Sequence, residues 1–193
     1  MSTITLFGFP PSSFTRSARL ACVAKGVDYS LAPLDFKSAS HFERHPFGKM
    51  PVMEHGDVRL FETAAILDYV DAAFDGPALM PTSTLERAVA RQWMSAAADS
   101  VYDDVVGILH GDGPTDDEVA VARSRLAPFD RALAESTHLA GDAMSLADLY
   151  VLPMVTYAAV SSVGDALLAD APNLRRWREA LEARDGFSDT LSS

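Results

Sequence analysis

The sequence contains a single cysteine, Cys22, in 193 residues. One thiol cannot form an internal disulfide, and it supplies neither a Cys-x-x-Cys redox pair nor a cysteine-based metal cluster. Cys22 lies inside a predicted helix, where we interpret it as a buried packing residue. The five histidines do not show a spacing typical of metal ligands, so no metal is expected.

The sequence also lacks a long hydrophobic run. The longest nearly apolar stretch, 149–160, contains Pro153 and Thr156 and falls well short of the roughly 20 residues that a transmembrane helix needs. No basic region precedes the apolar stretch at the N-terminus, so neither a secretory signal nor a transit peptide is predicted. We expect a soluble, cytoplasmic protein whose 48% apolar residues form a packed core.

Basic residues are scarce, with 16 lysines and arginines against 27 acidic residues and a formal net charge of −11. This charge would repel a phosphate backbone, so nucleic acid is not an expected partner. After residue 76, nine basic residues stand against eighteen acidic ones, whereas all three lysines lie before it: Lys25, Lys37 and Lys49. A small anionic ligand would therefore find its positive groups in the first part of the chain.

The first 76 residues alternate between strand and helix patterns. Strands are predicted at 3–7, 27–34, 51–54 and 58–61. Helices are predicted at 14–25 and 64–74, with a short helix or an irregular segment at 37–44. The order is βαβαββα, which predicts an α/β domain over residues 1–76.

A linker over 77–84, rich in Pro, Gly, Ser and Thr, precedes an all-helical domain over 85–193. Its helices are predicted at 85–109, 116–135, 145–162 and 173–184, separated by turns at 111–114, 141–142 and 169–172. Pro128 and Pro153 are expected to kink or break their helices.

Four motifs follow one another along the chain. They are Gly8-Phe9-Pro10-Pro11-Ser12-Ser13, Gly48-Lys49-Met50-Pro51-Val52, Leu60-Phe61-Glu62-Thr63-Ala64-Ala65-Ile66 and Ser145-Leu146-Ala147-Asp148-Leu149-Tyr150. Together they resemble the cytosolic glutathione transferase family, nearest its phi and theta classes, over nearly the whole chain. The resemblance implies a thioredoxin-like N-terminal domain plus an all-α helical bundle. It also implies a homodimeric detoxification enzyme that activates glutathione as a thiolate for attack on a small hydrophobic electrophile.

The resemblance implies that Met50, Pro51, Glu62 and Thr63 bind glutathione. A cis bond before Pro51 would expose the Met50 backbone N–H and C=O, which would pair with the tripeptide as an added strand does. Glu62 would take the γ-glutamyl ammonium, and the helix N-terminus at Thr63 would take its carboxylate. The last two residues are also compatible with an ordinary threonine cap preceded by a solvated acid.

Lys37 and Lys49 match positions from which the family reaches the glycyl carboxylate of glutathione. The histidine that the family commonly has before the first of these lysines is Phe36 here. This departure weakens the expected carboxylate capture, and a merely solvated Lys37 is an equal alternative.

Ser12 matches the serine that donates a hydrogen bond to the glutathione sulfur in the phi and theta classes. Such a donor would lower the thiol pKa from its free value of about 8.5. Ser13 is the alternate donor, although we expect it to cap the first helix. Arg16 is a further catalytic candidate, because a cation in a helix's first turn opposes the dipole and usually has another partner. That partner could equally be a structural carboxylate.

The remaining candidates have equally ordinary alternatives. Phe47 matches the aromatic residue that inserts into the partner subunit in several classes, or is a core residue. Phe9, Tyr102 and Val106 are weak candidates for a second-substrate pocket, although an apolar helix stripe is more often core. Ser145 and Asp148 form a capping box, a folding device.

Two other functions stay open at this point, because fold and chemistry separate readily. One is another glutathione-dependent enzyme, such as a dehalogenase, isomerase or peroxidase. The other is a non-catalytic binding module with the same fold.

Overall fold

A computed structural model of the protein describes residues 3–111 and 113–191. Its contacts divide the chain into two compact units, Met1–Leu79 with Asp185–Ser193, and Met80–Arg184. The first boundary falls inside the predicted linker. The residues after Arg184 differ from the prediction, since they are grouped with the first unit rather than with the helical domain. Asp112, in the predicted turn at 111–114, lies outside the described residues.

The first unit is built on a four-stranded sheet in the order β2-β1-β3-β4. Its strands are β1 (Ile4–Phe7), β2 (Tyr29–Ala32), β3 (Val52–His55) and β4 (Val58–Phe61). β1 pairs in parallel with β2 and antiparallel with β3, and β3 pairs antiparallel with β4. In this register Phe7 lies opposite Val52, and Val52 lies opposite Phe61. The end of β1, the start of β3 and the end of β4 therefore share one edge of the sheet.

Three helices accompany this sheet: α1 (Ser13–Lys25), α2 (Ala39–Arg44) and α3 (Thr63–Ala73). α1 packs along α3, and their apolar faces are buried with those of the central strands. The core of this unit includes Ile4, Leu6, Leu20, Val52, Met53, Ile66 and Leu67. The element order is βαβαββα, as predicted.

The described part of the second unit contains no strand, and only an isolated bridge joins His138 and Gly141. Its helices are α4 (Thr84–Ala96), α5 (Tyr102–Val105), α6 (Asp116–Glu135), α7 (Leu146–Ala159), α8 (Gly164–Leu167) and α9 (Pro172–Glu182). The single helix predicted over 85–109 is interrupted by a π-helical turn at Ala97–Val101 and a 3₁₀ turn at Gly107–Leu109. Such insertions change the hydrogen-bond spacing without erasing the apolar periodicity on which the prediction rested.

Pro128 and Pro153 were each expected to kink or break a helix, and a break does not occur, because α6 and α7 continue through them. A proline removes one backbone donor, whereas the other helical bonds persist when tertiary packing holds the helix. Most side chains of α7 are buried, so this helix has that support. In the described ranges no helix is both long and apolar enough to cross a bilayer.

Candidate functional site

Three of the sequence motifs meet at the shared edge of the first sheet. Phe7 leads into the loop that carries Ser12, Val52 follows Pro51, and Phe61 precedes Glu62. The Met50–Pro51 peptide bond is cis, as predicted. Within residues 3–111 and 113–191, the Met50 backbone has no hydrogen-bond partner. The sheet register thus brings the start of the loop that carries Ser12, the residues Met50 and Pro51, and Glu62 to one edge.

Ser12 is the N-cap of α1, and its Oγ accepts a hydrogen bond from the Thr15 N–H at 3.3 Å. The assignment of this cap to Ser13 is therefore wrong by one residue. Ser13 is buried, and in the described part of the chain its Oγ has no hydrogen-bond partner. A hydroxyl accepts and donates at the same time. The half-buried Ser12 hydroxyl therefore still has a hydrogen to donate to a ligand.

Arg16 is buried, and its Nε donates to the Thr190 Oγ1 at 2.9 Å. Arg19, one turn later on α1, donates to the Thr190 carbonyl oxygen at 2.9 Å. These bonds anchor the C-terminal turn Ser188–Thr190 on α1, which explains why the chain end belongs to the first unit. They support a structural rather than a catalytic role for Arg16.

The N-terminus of α3 has an unusual backbone at Glu62, with φ 68° and ψ 118°. A non-glycine residue with this φ is strained, and such residues cluster at ligand sites. Glu62 is the N-cap but its side chain makes no capping bond, and Thr63 is the first helical residue. The alternative interpretation, in which Thr63 is an ordinary N-cap, is therefore wrong. The exposed Glu62 carboxylate and the helix N-terminus both stay open to a ligand.

The three lysines of the first unit have different environments. Lys25 is buried and forms an ion pair with Asp71 at 2.9 Å, so its charge is already matched. Lys37 and Lys49 are exposed. The Lys37 ammonium lies 5.4 Å from the centre of the Phe36 ring, and Lys37 has a positive φ of 64°. Two of the three lysines are thus accessible to an anion.

Two buried histidines, His41 and His45, were not predicted as part of the site. His41 bonds to the backbones of both Lys37 and Lys49. The centre of the His45 ring lies 4.9 Å from the centre of the Phe61 ring. Burial lowers the pKa of His45, and the nearby Glu62 carboxylate partly opposes this effect. Their i, i+4 spacing across α2 was the available signal, since it places both rings on one side of the segment.

Phe47 is 70% exposed, so its alternative as a core residue is wrong. The centre of the Phe47 ring lies 6.2 Å from the centre of the Phe61 ring. Of the second-substrate candidates, Phe9 is exposed in the first unit. In the second unit Val106 is buried, as the core interpretation expects, and Tyr102 is half-buried with a pKa raised by burial.

Two features of the sequence have purely structural roles. Cys22 is buried, and burial raises the pKa of its thiol to about 12, so it packs as predicted and is not a nucleophile. The capping box is also confirmed. Ser145 accepts from the backbone in the first turn of α7, and the Asp148 carboxylate accepts from the Ser145 N–H at 2.8 Å.

Two family models match this chain. Residues 2–72 match the N-terminal domain of glutathione S-transferase, and residues 112–185 match its C-terminal domain. Glutathione S-transferase 4 of Zea mays is 31% identical over 199 residues, covering 94% of this chain and 88% of the relative. Glutathione S-transferase 1 of Triticum aestivum is 29% identical and covers 95% of this chain and 91% of the relative.

Solved structures agree with these matches. Glutathione transferase F7 from Populus trichocarpa superimposes with a TM-score of 0.86 at 26% identity and covers 97% of each chain. A glutathione S-transferase I structure bound with lactoylglutathione gives a TM-score of 0.86 at 25% identity, covering 98% of this chain and 99% of that one. The predicted fold, a thioredoxin-like domain followed by a helical domain, is confirmed.

Proposed function

Since this chain belongs to the glutathione S-transferase family, we propose that it binds glutathione at the described edge of the first sheet and transfers it, as the thiolate, to a small hydrophobic electrophile. One observation carries the proposal. The register that pairs Phe7 with Val52 and Val52 with Phe61 brings the Ser12 loop, Pro51 and Glu62 together. An extended tripeptide needs such a row of contacts.

The γ-glutamyl end of glutathione carries an ammonium and a carboxylate, and the start of α3 matches both. The Glu62 carboxylate would accept from the ammonium. The Thr63 end of α3 offers backbone N–H groups and a partial positive charge to the carboxylate. Glu62 is free for this because it does not cap its own helix.

The cysteinyl part of glutathione would lie along Met50, whose backbone groups are open in the described structure. The Ser12 hydroxyl would donate to the sulfur while it continues to accept from Thr15. A hydrogen bond to the charged form favours that form, so this donor lowers the pKa of the bound thiol. The glycyl carboxylate would meet the exposed ammonium groups of Lys37 and Lys49.

A spectroscopic titration tests this proposal. With glutathione saturating, thiolate absorbance measured against pH should show the bound thiol ionising well below its free pKa of about 8.5. S-methylglutathione is the control, since it should bind without a thiolate signal. Binding as a neutral thiol at pH 7 would instead favour a non-catalytic module. Turnover of chlorodinitrobenzene would then separate a general transferase from a specialised glutathione-dependent enzyme.

We also propose that the protein is a homodimer that works in detoxification in the cytoplasm, where glutathione is kept reduced. The 70% exposure of the Phe47 ring supports the dimer, because a large aromatic side chain gains most from burial in a partner. Light scattering at micromolar concentration should give the dimer mass for the wild type and a larger monomer fraction for Phe47→Ser. A monomeric wild type would contradict this part of the proposal.

A further inference from the structure

His41 joins the two loops that carry Lys37 and Lys49. The side chain is buried, its Nδ1 lies 2.9 Å from the Lys37 backbone nitrogen, and its Nε2 lies 2.8 Å from the Lys49 carbonyl oxygen. A backbone N–H only donates and a carbonyl only accepts, so the two bonds assign a neutral ring with its hydrogen on Nε2. One imidazole therefore fixes the main chain on both sides of α2.

Both loops depend on tertiary contacts for their conformation. Lys37 has a positive φ of 64°, which a residue with a side chain adopts only when its surroundings hold it there. Its N–H bond to His41 is such a contact. Lys49 follows Gly48, which has a φ of 60°. Neither lysine lies in a helix or a strand that would set its position by regular hydrogen bonding.

We propose that His41 is a positioning residue for the glycyl end of glutathione. By holding the Lys37 N–H and the Lys49 C=O at opposite ends of one ring, it sets the separation between the two lysines. The inference rests on the proposed function, because it takes Lys37 and Lys49 as the groups that meet the glycyl carboxylate. It goes further by assigning their arrangement to a histidine that does not itself touch the ligand.

A shortened ligand separates positioning from general stability. γ-Glutamylcysteine has the γ-glutamyl group and the thiol of glutathione but lacks the glycyl residue. A substitution that acts through Lys37 and Lys49 must weaken the binding of glutathione and leave the binding of this dipeptide unchanged. A substitution that merely destabilises the first unit must weaken the binding of both ligands.

The decisive variant is His41→Phe, which keeps a ring of similar size and loses both hydrogen bonds. We expect KM for glutathione to rise about tenfold with kcat within about twofold, and KM for γ-glutamylcysteine to stay unchanged. His55→Phe is the matched control, because His55 lies in the same unit and bonds to the Tyr69 hydroxyl at 2.9 Å. It should leave both KM values unchanged.

Two amide variants dissect the bridge and replace His41→Phe if that protein does not fold. The Asn oxygen in His41→Asn can stand where Nδ1 accepts from Lys37, and the Gln nitrogen in His41→Gln can stand where Nε2 donates to Lys49. Each amide variant should have a KM for glutathione between those of the wild type and His41→Phe. An equal rise of KM for both ligands, or no change for either, would overturn the positioning role. Failure of the wild type to bind glutathione would overturn the proposed function itself, and this inference with it.

Discussion

The N-termini of α3 and α7 use the same kinds of side chain for opposite purposes. α3 begins after Glu62, whose exposed carboxylate caps nothing and whose φ is 68°. α7 begins after Ser145, where the hydroxyl and the Asp148 carboxylate form a reciprocal capping box. An acid that is exposed, strained and uncommitted suits a ligand, whereas one that is buried and fully bonded suits the fold.

The Asp148 carboxylate is the more constrained of the two. It is fully buried and accepts from the Leu139 N–H at 3.0 Å and the Trp177 Nε1–H at 2.9 Å, in addition to its bonds with Ser145. Four donors therefore converge on one carboxylate that joins α7, α9 and the preceding turn. A site so completely satisfied has nothing left to offer a substrate.

The largest expected effect comes from removing this carboxylate. Asp148→Ala leaves the donors of Leu139, Ser145 and Trp177 buried without an acceptor, so the free energy of unfolding should fall by about 3–5 kcal/mol. Urea denaturation followed by circular dichroism measures this loss. The glutathione dissociation constant of the folded fraction should not change.

The capping box of α6 is the matched control. Thr115 and Glu118 make the same reciprocal bonds at an exposed helix start. Glu118→Ala should therefore cost much less than Asp148→Ala, because water replaces the lost acceptor. Equal losses would show that burial does not distinguish the two boxes.

The next effect concerns Glu62 and should appear in binding rather than in stability. Glu62→Gln keeps the shape of the side chain but removes the charge that faces the γ-glutamyl ammonium. Glutathione affinity should fall by roughly 1.5–3 kcal/mol, the range for a charge-assisted hydrogen bond. Calorimetry measures the affinity, and denaturation at neutral pH should show little change. An unaltered dissociation constant, or a large loss of stability, would make the start of α3 structural like that of α7.

Much of this contrast was readable from the sequence. The capping box at Ser145 is local, since a hydroxyl and an acid three residues apart define it. The strands and helices of the first unit follow from apolar periodicity, and the turn at Gly56 marks the hairpin. The cis bond before Pro51 and the roles of Glu62 and Thr63 needed the family resemblance, because neither isomer state nor ligand contact has a local signature.

Other features depend on contacts distant in the sequence. The bonds from Arg16 and Arg19 to the C-terminal turn join residues more than 170 positions apart. The sequence does not distinguish His41 from an ordinary helix residue, because its bond to the Lys49 carbonyl oxygen forms only in the folded structure. The sequence does not distinguish the cap of α1, because Ser12 and Ser13 are chemically identical, and only the backbone conformation shows that Ser12 is the cap.

The two serines provide the third prediction. Ser12→Ala should raise the pKa of bound glutathione by about one unit, which corresponds to about 1.4 kcal/mol, and lose about 1 kcal/mol of stability because Ser12 also caps α1. Ser13→Ala removes a buried hydroxyl that has no partner in the described structure, so stability should hold or rise slightly. Thiolate titration and thermal unfolding of both variants measure these effects. If Ser13→Ala alone shifts the titration, Ser13 is the donor.

The smallest expected effect tests the open start of α3 through His45. Burial lowers the pKa of this histidine more than the Glu62 carboxylate raises it, so the net shift is downward. A depressed pKa means that the neutral ring is favoured in the fold. The contribution of the neutral His45 ring to folding stability is fully present above the unfolded-state pKa of about 6.5. It is lost as pH falls through the lower folded-state pKa.

Glu62→Gln removes the opposing charge, so the pKa of His45 should fall further and acid should destabilise the variant more than the wild type. NMR titration of the His45 ring protons measures the shift directly. Glu54→Gln is the control, since Glu54 is an acid of the same unit whose bonds are to Arg44 and Arg59. An unchanged or raised His45 pKa in Glu62→Gln would mean that the carboxylate does not face this ring.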